Sequence, residues 1–333
     1  MQRYLIQRLL SLCAVLFGIT LLVFLFLHYL PGGPAQAILG ERASPEQVAA
    51  LQVQLGLDQP LPQQYLALLR RLARFDFGRS IISGVPVRQE IFARWPATFE
   101  LAAAALLIAL LLGIPAGILA AVRQHRWLDK LTLGASLLGV SMPVYWLGLL
   151  LKYLFSVNLG WLPPSGRLGI GIGHSLTGFY LLDAIVQLDG EMLLSALVHL
   201  LLPALTLSSI PLAIVARITR SAMLGTLSQD FMRTARAKGV PEAGVVLTHG
   251  LKNALLPVMT IVGLQFGTLL GGAILTETIF AWPGLGLWIY EGILDRDYPI
   301  VLGGVIFVAV TYTVINLLVD LSYAFLDPRI QYK

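Results

Sequence analysis

Residues 98–121 read TFELAAAALLIALLLGIPAGILAA, with Glu100 the only charge. Crossing about 30 Å of hydrocarbon takes roughly 20 apolar residues as an α-helix, and this run is longer. Its apolar residues are consecutive rather than alternating, which excludes a barrel strand. Working outward, stretches 9–30, 131–156, 194–216, 254–280 and 299–325 have the same character. The sequence therefore predicts an all-α, polytopic membrane helical bundle of about six transmembrane helices.

Composition agrees. Of 333 residues 57% are apolar and 12% charged, against about 25% charged in a soluble domain. A globule of this size could not cover its surface with so little charge. Cys13, the single cysteine, lies in the first apolar run and cannot form an internal disulfide. The net charge of +5 is no nucleic-acid signal, because the basic residues flank the apolar runs.

Orientation follows from where those residues fall. With the N-terminus inside, the inner segments hold 13 basic residues: Arg3, Arg8, Arg123, Arg126, Lys130, Arg217, Arg220, Arg233, Arg236, Lys238, Lys252, Arg329 and Lys333. The short outer loops 157–193 and 281–298 hold only Arg167 and Arg296. Loop 31–96 holds seven arginines, but loops of that length translocate regardless of charge. Both termini are expected inside. Arg3, Arg8, the apolar run and Ala35-Gln36-Ala37 imitate a cleaved leader, yet leader cores run about 7–15 residues and this one is longer, so a retained helix is expected.

Loop 31–96 carries helical signals. Ser44-Pro45-Glu46-Gln47 is a capping box with proline at the first helical position. Val48, Leu51 and Leu55 follow at helical spacing and Gly56 ends the run; after Pro62, Tyr65, Leu68, Leu69 and Leu72 share a face. The expectation is a small helical cap on the outer membrane surface or a docking place for an external partner. The run Gly169-Ile170-Gly171-Ile172-Gly173 follows no strand and opens no phosphate-binding helix, so it reads as a turn-rich loop. Gly113 and Gly117, with Pro115 between them, and Gly263, Gly267 and Gly271 repeat at four-residue spacing, which favours close helix packing.

Catalytic signatures are missing. No GxxxxGK[ST], HExxH, GxSxG or SxxK motif occurs, and the five histidines are scattered. No catalytic, cofactor-binding or metal-binding residue is expected. Ionisable groups within spans are functional candidates by default. Lys152 is expected to snorkel, Asp320 to be a helix-end charge or interhelical partner, and Glu277 to lie near an outer helix end. Mid-membrane depth is held by neutral polar residues such as Gln265, which weighs against an ion- or proton-coupled secondary transporter, the alternative reading.

The anomaly is segment 217–253, the longest inner loop. Asp230-Phe231-Met232-Arg233-Thr234-Ala235-Arg236-Ala237-Lys238 reads as a basic helix ending at Gly239, a left-handed cap, and Val240-Pro241-Glu242 starts a second short helix. A helix–glycine–helix elbow can protrude as a rigid knob; the plain alternative is a positive-inside loop.

At this segment the chain resembles the permeases of binding-protein-dependent ABC importers, in the dipeptide/oligopeptide/nickel/glutathione group. The resemblance spans the whole chain. Its markers include Arg8-Leu9-Leu10, His28-Tyr29-Leu30-Pro31-Gly32, Pro96-Ala97-Thr98-Phe99-Glu100-Leu101, Ser141-Met142-Pro143-Val144-Tyr145-Trp146 and Leu162-Pro163-Pro164-Ser165-Gly166. The most specific are Arg233–Gly239, Lys252-Asn253-Ala254-Leu255-Leu256-Pro257 and Glu277-Thr278-Ile279-Phe280-Ala281-Trp282-Pro283-Gly284-Leu285-Gly286. The general importer signature begins Glu-Ala-Ala where this chain has Arg233-Thr234-Ala235; only Gly239 is strictly kept, and the Leu-Pro element comes late, at Leu256-Pro257. Both departures resemble the peptide-type subgroup, and they count against docking through an acidic side chain at 233.

The resemblance implies a type I ABC importer permease fold, a bacterial inner membrane location and no enzymatic activity in this chain. The implied partners are a second permease subunit (usually a paralogue), two cytoplasmic ATP-binding subunits that carry the ATP and Mg, and an extracytoplasmic substrate-binding protein. Residues 1–30 would be the first transmembrane helix, 31–96 an external helical cap loop, and 97–333 a five-helix core with the cytoplasmic coupling loop 217–253. Arg233, Thr234, Ala235, Arg236, Ala237, Lys238, Gly239, Val240, Pro241 and Glu242 are then expected to couple to an ATPase. Gln265, Thr268, Gly263 and Gly267 are expected to border the translocation pathway.

Overall fold

The structure is a computed structural model and describes residues 2–29, 35–36, 39, 43–54 and 56–326. Readings made on Leu30-Pro31-Gly32, Ala37, Leu55, Arg329 and Lys333, and on the side chains of Arg3, Arg8, Leu51 and Asp320, lie outside the described residues. In chain order the helices are α1 (Gln2–His28), α2 (Pro45–Gln54), α3 (Leu61–Leu72), α4 (Val87–Val122), α5 (Trp127–Ser141), α6 (Val144–Lys152) and α7 (Tyr180–Val186). Then come α8 (Gly190–Leu227), α9 (Asp230–Ala237), α10 (Glu242–Gly244), α11 (Lys252–Gly272), α12 (Ile274–Ile279), α13 (Leu285–Leu294) and α14 (Tyr298–Leu326). Two π-helical segments, Tyr153–Asn158 and Val245–Leu251, extend α6 and join α10 to α11.

By length and composition Val87–Val122, Gly190–Leu227, Glu242–Gly271 and Tyr298–Val319 can each cross a membrane, and α1 carries the apolar stretch Leu10–Phe26. The expected span 131–156 is not one straight helix: Trp127–Ser141 and Val144–Asn158 meet at 101°. The cause is local. Pro143 disfavours a helical conformation at the residue before it, and Met142 sits extended at φ −79°, ψ 128°.

The chain divides into two compact units, Met1–Pro96 with Pro283–Thr313, and Ala97–Trp282 with Val314–Lys333. In the first, α2 opens with the reciprocal capping box. The Ser44 N–H donates to Gln47 Oε1 at 3.0 Å and the Gln47 N–H to Ser44 Oγ at 3.2 Å. Helix α3 does not rest on top of α1. Its Tyr65 hydroxyl lies 2.8 Å from Thr20 Oγ1 and donates to the Phe17 carbonyl at 3.1 Å, with its ring against Phe17 and Phe24. Thr20 lies within the apolar stretch, about 12 Å below His28 along the helix. At its other end Leu72 packs against a cluster of Phe77, Val87, Ile91, Trp288, Ile300 and Ile306. The buried Asp297 carboxylate pins the turn before α4, accepting from Ser80 Oγ (2.6 Å) and the Ile81 N–H (2.9 Å).

In the second unit the 38-residue α8 is the axis. Asp189 caps it, accepting from the Met192 N–H at 2.9 Å. Helix α4 lies against α8 through its glycines: a Cβ on Gly117 would fall 2.6 Å from the Ala216 carbonyl oxygen, and one on Gly113 3.1 Å from that of Leu212. Only the missing side chains let the backbones approach so far. The broken pair climbs α8 in one direction. Asp129 pairs with Arg220, Gly139 faces Ser209, and Gly148 faces Thr206.

Candidate functional site

Segment 217–253 proves to be almost entirely helical. Helix α8 continues to Leu227, residues 228–229 turn, and α9 begins at Asp230. Met232, Ala235 and Val245 form a small core against which Leu227 and Val240 pack. It leaves Phe231, Arg233, Thr234, Arg236, Ala237, Lys238, Gly239, Pro241 and Glu242 exposed on one protrusion.

The reversal at its tip is a Schellman motif. The Gly239 N–H donates to the Arg236 carbonyl at 3.0 Å and the Val240 N–H to that of Ala235 at 3.3 Å, with Gly239 at φ +77°. Val240 folds back on the core beside Ala235, the apolar contact that accompanies this cap. A fork-to-fork ion pair closes the elbow: Arg236 Nε and Nη2 donate to Glu242 Oε2 and Oε1 at 3.1 and 2.9 Å. This partner raises the Arg236 pKa above its ordinary value. Arg233 is only 3.7 Å from Asp230 at closest approach, and its side chain is 78% exposed, so it remains open to an external contact.

The second arm corrects the sequence reading. It is not a separate short helix. Pro241 caps Glu242–Gly244, which passes through the π-helical Val245–Leu251 directly into α11. The knob is thus the exposed end of a helical run that continues as a candidate span. Gly250 sits where a Cβ would meet Met223 of α8 at 3.2 Å and Met232 of α9 at 3.5 Å, so the π segment is held against both.

Four residues were expected along the pathway. Gly263 and Gly267 are buried, Gln265 is half-buried and Thr268 is exposed. A Cβ on Gly263 would lie 2.1 Å from Val319 Cγ1, so its bareness serves contact with α14 inside this unit. Thr268 Oγ1 donates to the Gln265 carbonyl at 2.8 Å.

Sequence reading missed a second cluster. The Arg167 guanidinium donates to Glu100 Oε2 at 2.5 Å and to the Gly178 carbonyl at 3.0 Å, and stacks 3.9 Å above the Tyr180 ring. Glu100 Oε1 also accepts the Leu181 N–H at 2.9 Å. Thr98 Oγ1 donates to the fully buried Glu277 at 2.7 Å, Trp282 Nε1 to the Ala97 carbonyl at 2.8 Å, and the Gly166 N–H to the Phe280 carbonyl at 3.0 Å. Three marker stretches far apart in sequence therefore interlock. Lys152 Nζ donates to the Ile279 carbonyl at 2.8 Å, where α12 ends. Arg220 is likewise more than an inner charge, gripping the buried Asp129 at 2.5 and 2.8 Å. The signal for Arg167 was its uniqueness in a loop otherwise free of basic residues.

Residues 113–332 match the family model described as binding-protein-dependent transport system inner membrane component, and residues 1–102 match the N-terminal model of such membrane components. Among curated relatives, a dipeptide transport system permease protein, DppB of Alkalihalophilus pseudofirmus, is 46% identical over the full length of both chains. The probable D,D-dipeptide transport system permease protein DdpB of Escherichia coli is 48% identical over 97% of this chain and 96% of its own. The glutathione transport system permease protein GsiC of Escherichia coli is 42% identical over the whole of both. Two family models and full-length identity lead to one assignment: the chain belongs to the inner membrane components of binding-protein-dependent transport systems, the multi-pass permease subunits of bacterial ABC importers.

Proposed function

We propose that this chain lines the translocation path for short peptides or peptide-like solutes. The relatives named for dipeptide, D,D-dipeptide and glutathione transport support that substrate class, since all three solutes share a short peptide backbone. It works beside a second, paralogous permease subunit, above two cytoplasmic ATP-binding subunits and below an extracytoplasmic substrate-binding protein. ATP and Mg are handled by the ATPase subunits, and this chain binds no cofactor. Arg233 to Glu242 form the coupling element, and Gly263, Gln265, Gly267 and Thr268 border the path. Both termini face the cytoplasm.

The observation that carries the coupling reading is the Schellman elbow, tied by Arg236 to Glu242 and continuous through α10 and the π segment with α11. A knob that keeps its shape transmits displacement to the helix it ends. The test is uptake of radiolabelled dipeptide by vesicles containing all subunits, with unlabelled glutathione and free amino acids as competitors. Uptake that requires ATP and is blocked by peptides but not by free amino acids is expected. ATP-dependent transport of a non-peptide solute alone would overturn the substrate class.

A further inference from the structure

The cap of α3 is unusual. The Phe75 N–H donates to the Leu72 carbonyl at 2.9 Å and the Asp76 N–H to that of Arg71 at 3.0 Å, the same capping pattern as at Gly239. Here the left-handed position, at φ 56°, is held by phenylalanine. A side chain in that conformation is strained, and little packing offsets it here, since Phe75 is 62% exposed. Beside it Arg70 and Arg74 are exposed, and their side chains make no ion pair or hydrogen bond among the described residues. Arg71 is half-exposed and engages Asp76 at 3.1 Å.

Depth decides what could meet such a patch. Tyr65 ties one end of α3 to Thr20, inside the apolar stretch of α1. Leu72 packs the other end against the cluster that includes Val87 and Ile91 at the start of α4 and Ile300 and Ile306 in the first turns of the candidate span Tyr298–Val319. Helix α3 therefore runs from beside the apolar stretch of α1 to a C-terminal end, bearing Arg70 to Phe75, at the level where α14 begins and hydrocarbon gives way to water. Guanidinium groups and an aromatic ring at that level match phosphate and the acyl-carbonyl layer respectively.

We propose that Arg70, Arg71, Arg74 and Phe75 form a binding patch for anionic phospholipid headgroups, the arginines on phosphate and Phe75 inserted beneath it. Which leaflet this is rests on the proposed orientation; the depth does not, and a reporter fusion tests the orientation separately.

The experiment uses the complete importer without its binding protein, in vesicles of phosphatidylcholine with and without phosphatidylglycerol. A nitroxide on Phe75→Cys, in a Cys13→Ser background, should collide more often with oxygen than with a water-soluble nickel chelate. Phosphatidylglycerol should raise the Tm of the native complex, and Arg70→Gln with Arg74→Gln should abolish that rise. Phe75→Gly, which removes the backbone strain together with the ring, should keep the Tm in detergent while reducing the lipid-dependent rise. A label fully open to the nickel chelate would overturn the proposal. So would a label shielded only when binding protein is added, which would assign the patch to that protein, or a lipid-dependent rise that persists in the double arginine variant.

Discussion

Arg167 and Glu100, 67 positions apart, meet at 2.5 Å with side chains only 5% and 8% exposed. Removing one member of a buried pair strands the other charge, at a cost of about 3–5 kcal/mol. Glu100→Ala should therefore sharply lower the Tm of the purified chain. Replacing both residues by leucine should recover most of the loss, because no uncompensated charge remains. A double variant as unstable as the single one would show that the hydrogen bonds to Leu181 and Gly178, rather than the charges, hold the cluster.

Gly239 has open space where a Cβ would project, so any penalty there is conformational. Gly239→Val and Gly239→Ala should both cost about 1–2 kcal/mol at the elbow, and Gly239→Asn less. Membrane insertion should stay normal while uptake and substrate-stimulated ATP hydrolysis fall severely. Arg233→Ala should do much less. Full coupling in Gly239→Val would reduce the elbow to a topological anchor.

Asp183 is buried and accepts from Thr177 (Oγ1 2.6 Å, N–H 3.1 Å), the Leu176 N–H (2.9 Å) and Ser175 Oγ (3.2 Å). Burial raises its pKa, and the donors, Thr177 foremost, more than reverse this to leave it below the usual carboxylate value. A depressed carboxylate stabilises above its unfolded pKa and loses that contribution as pH falls through the folded one. A spin label at Leu176 should thus be immobile at neutral pH and loosen only under strong acid. Asp183→Asn should be mobile at every pH.

Leu264 is 45% exposed, more open than the half-buried Gln265. If Gln265 borders a watery path and Leu264 faces lipid, a small polar thiol reagent should label Gln265→Cys faster than Leu264→Cys or Phe266→Cys. Equal inaccessibility in every transport state would place Gln265 in an intrahelical or interhelical role instead.

A reporter fused within 123–130 or after Lys333 should appear cytoplasmic and one within 45–75 external. Finding 45–75 inside would reverse the orientation.

Local chemistry was legible in the sequence: the Ser44–Gln47 box, the left-handed Gly239 and the bare face of Gly113 and Gly117 each depend on residues a few positions apart. The bend at Met142-Pro143 had its signal too, but hydropathy is averaged along a run and ignores what proline does to its predecessor. Lys152 and Arg167 were out of reach for another reason. Their partners, the Ile279 carbonyl and Glu100, are 127 and 67 residues away, and no pattern within one helix announces a group presented by another.

The π-helical stretch Val245–Leu251 has a consequence for how this chain tolerates changes of length. Bonds from i to i+5 take up one more residue per turn than those of an α-helix, so the stretch carries a surplus residue. Deleting one position there converts the turn to ordinary α-helix with both flanks facing as they do now. The same deletion within 253–271 would rotate everything between it and the elbow by about 100° relative to the rest. The junction of knob and span is the place where this helix can lose a residue and keep its alignment.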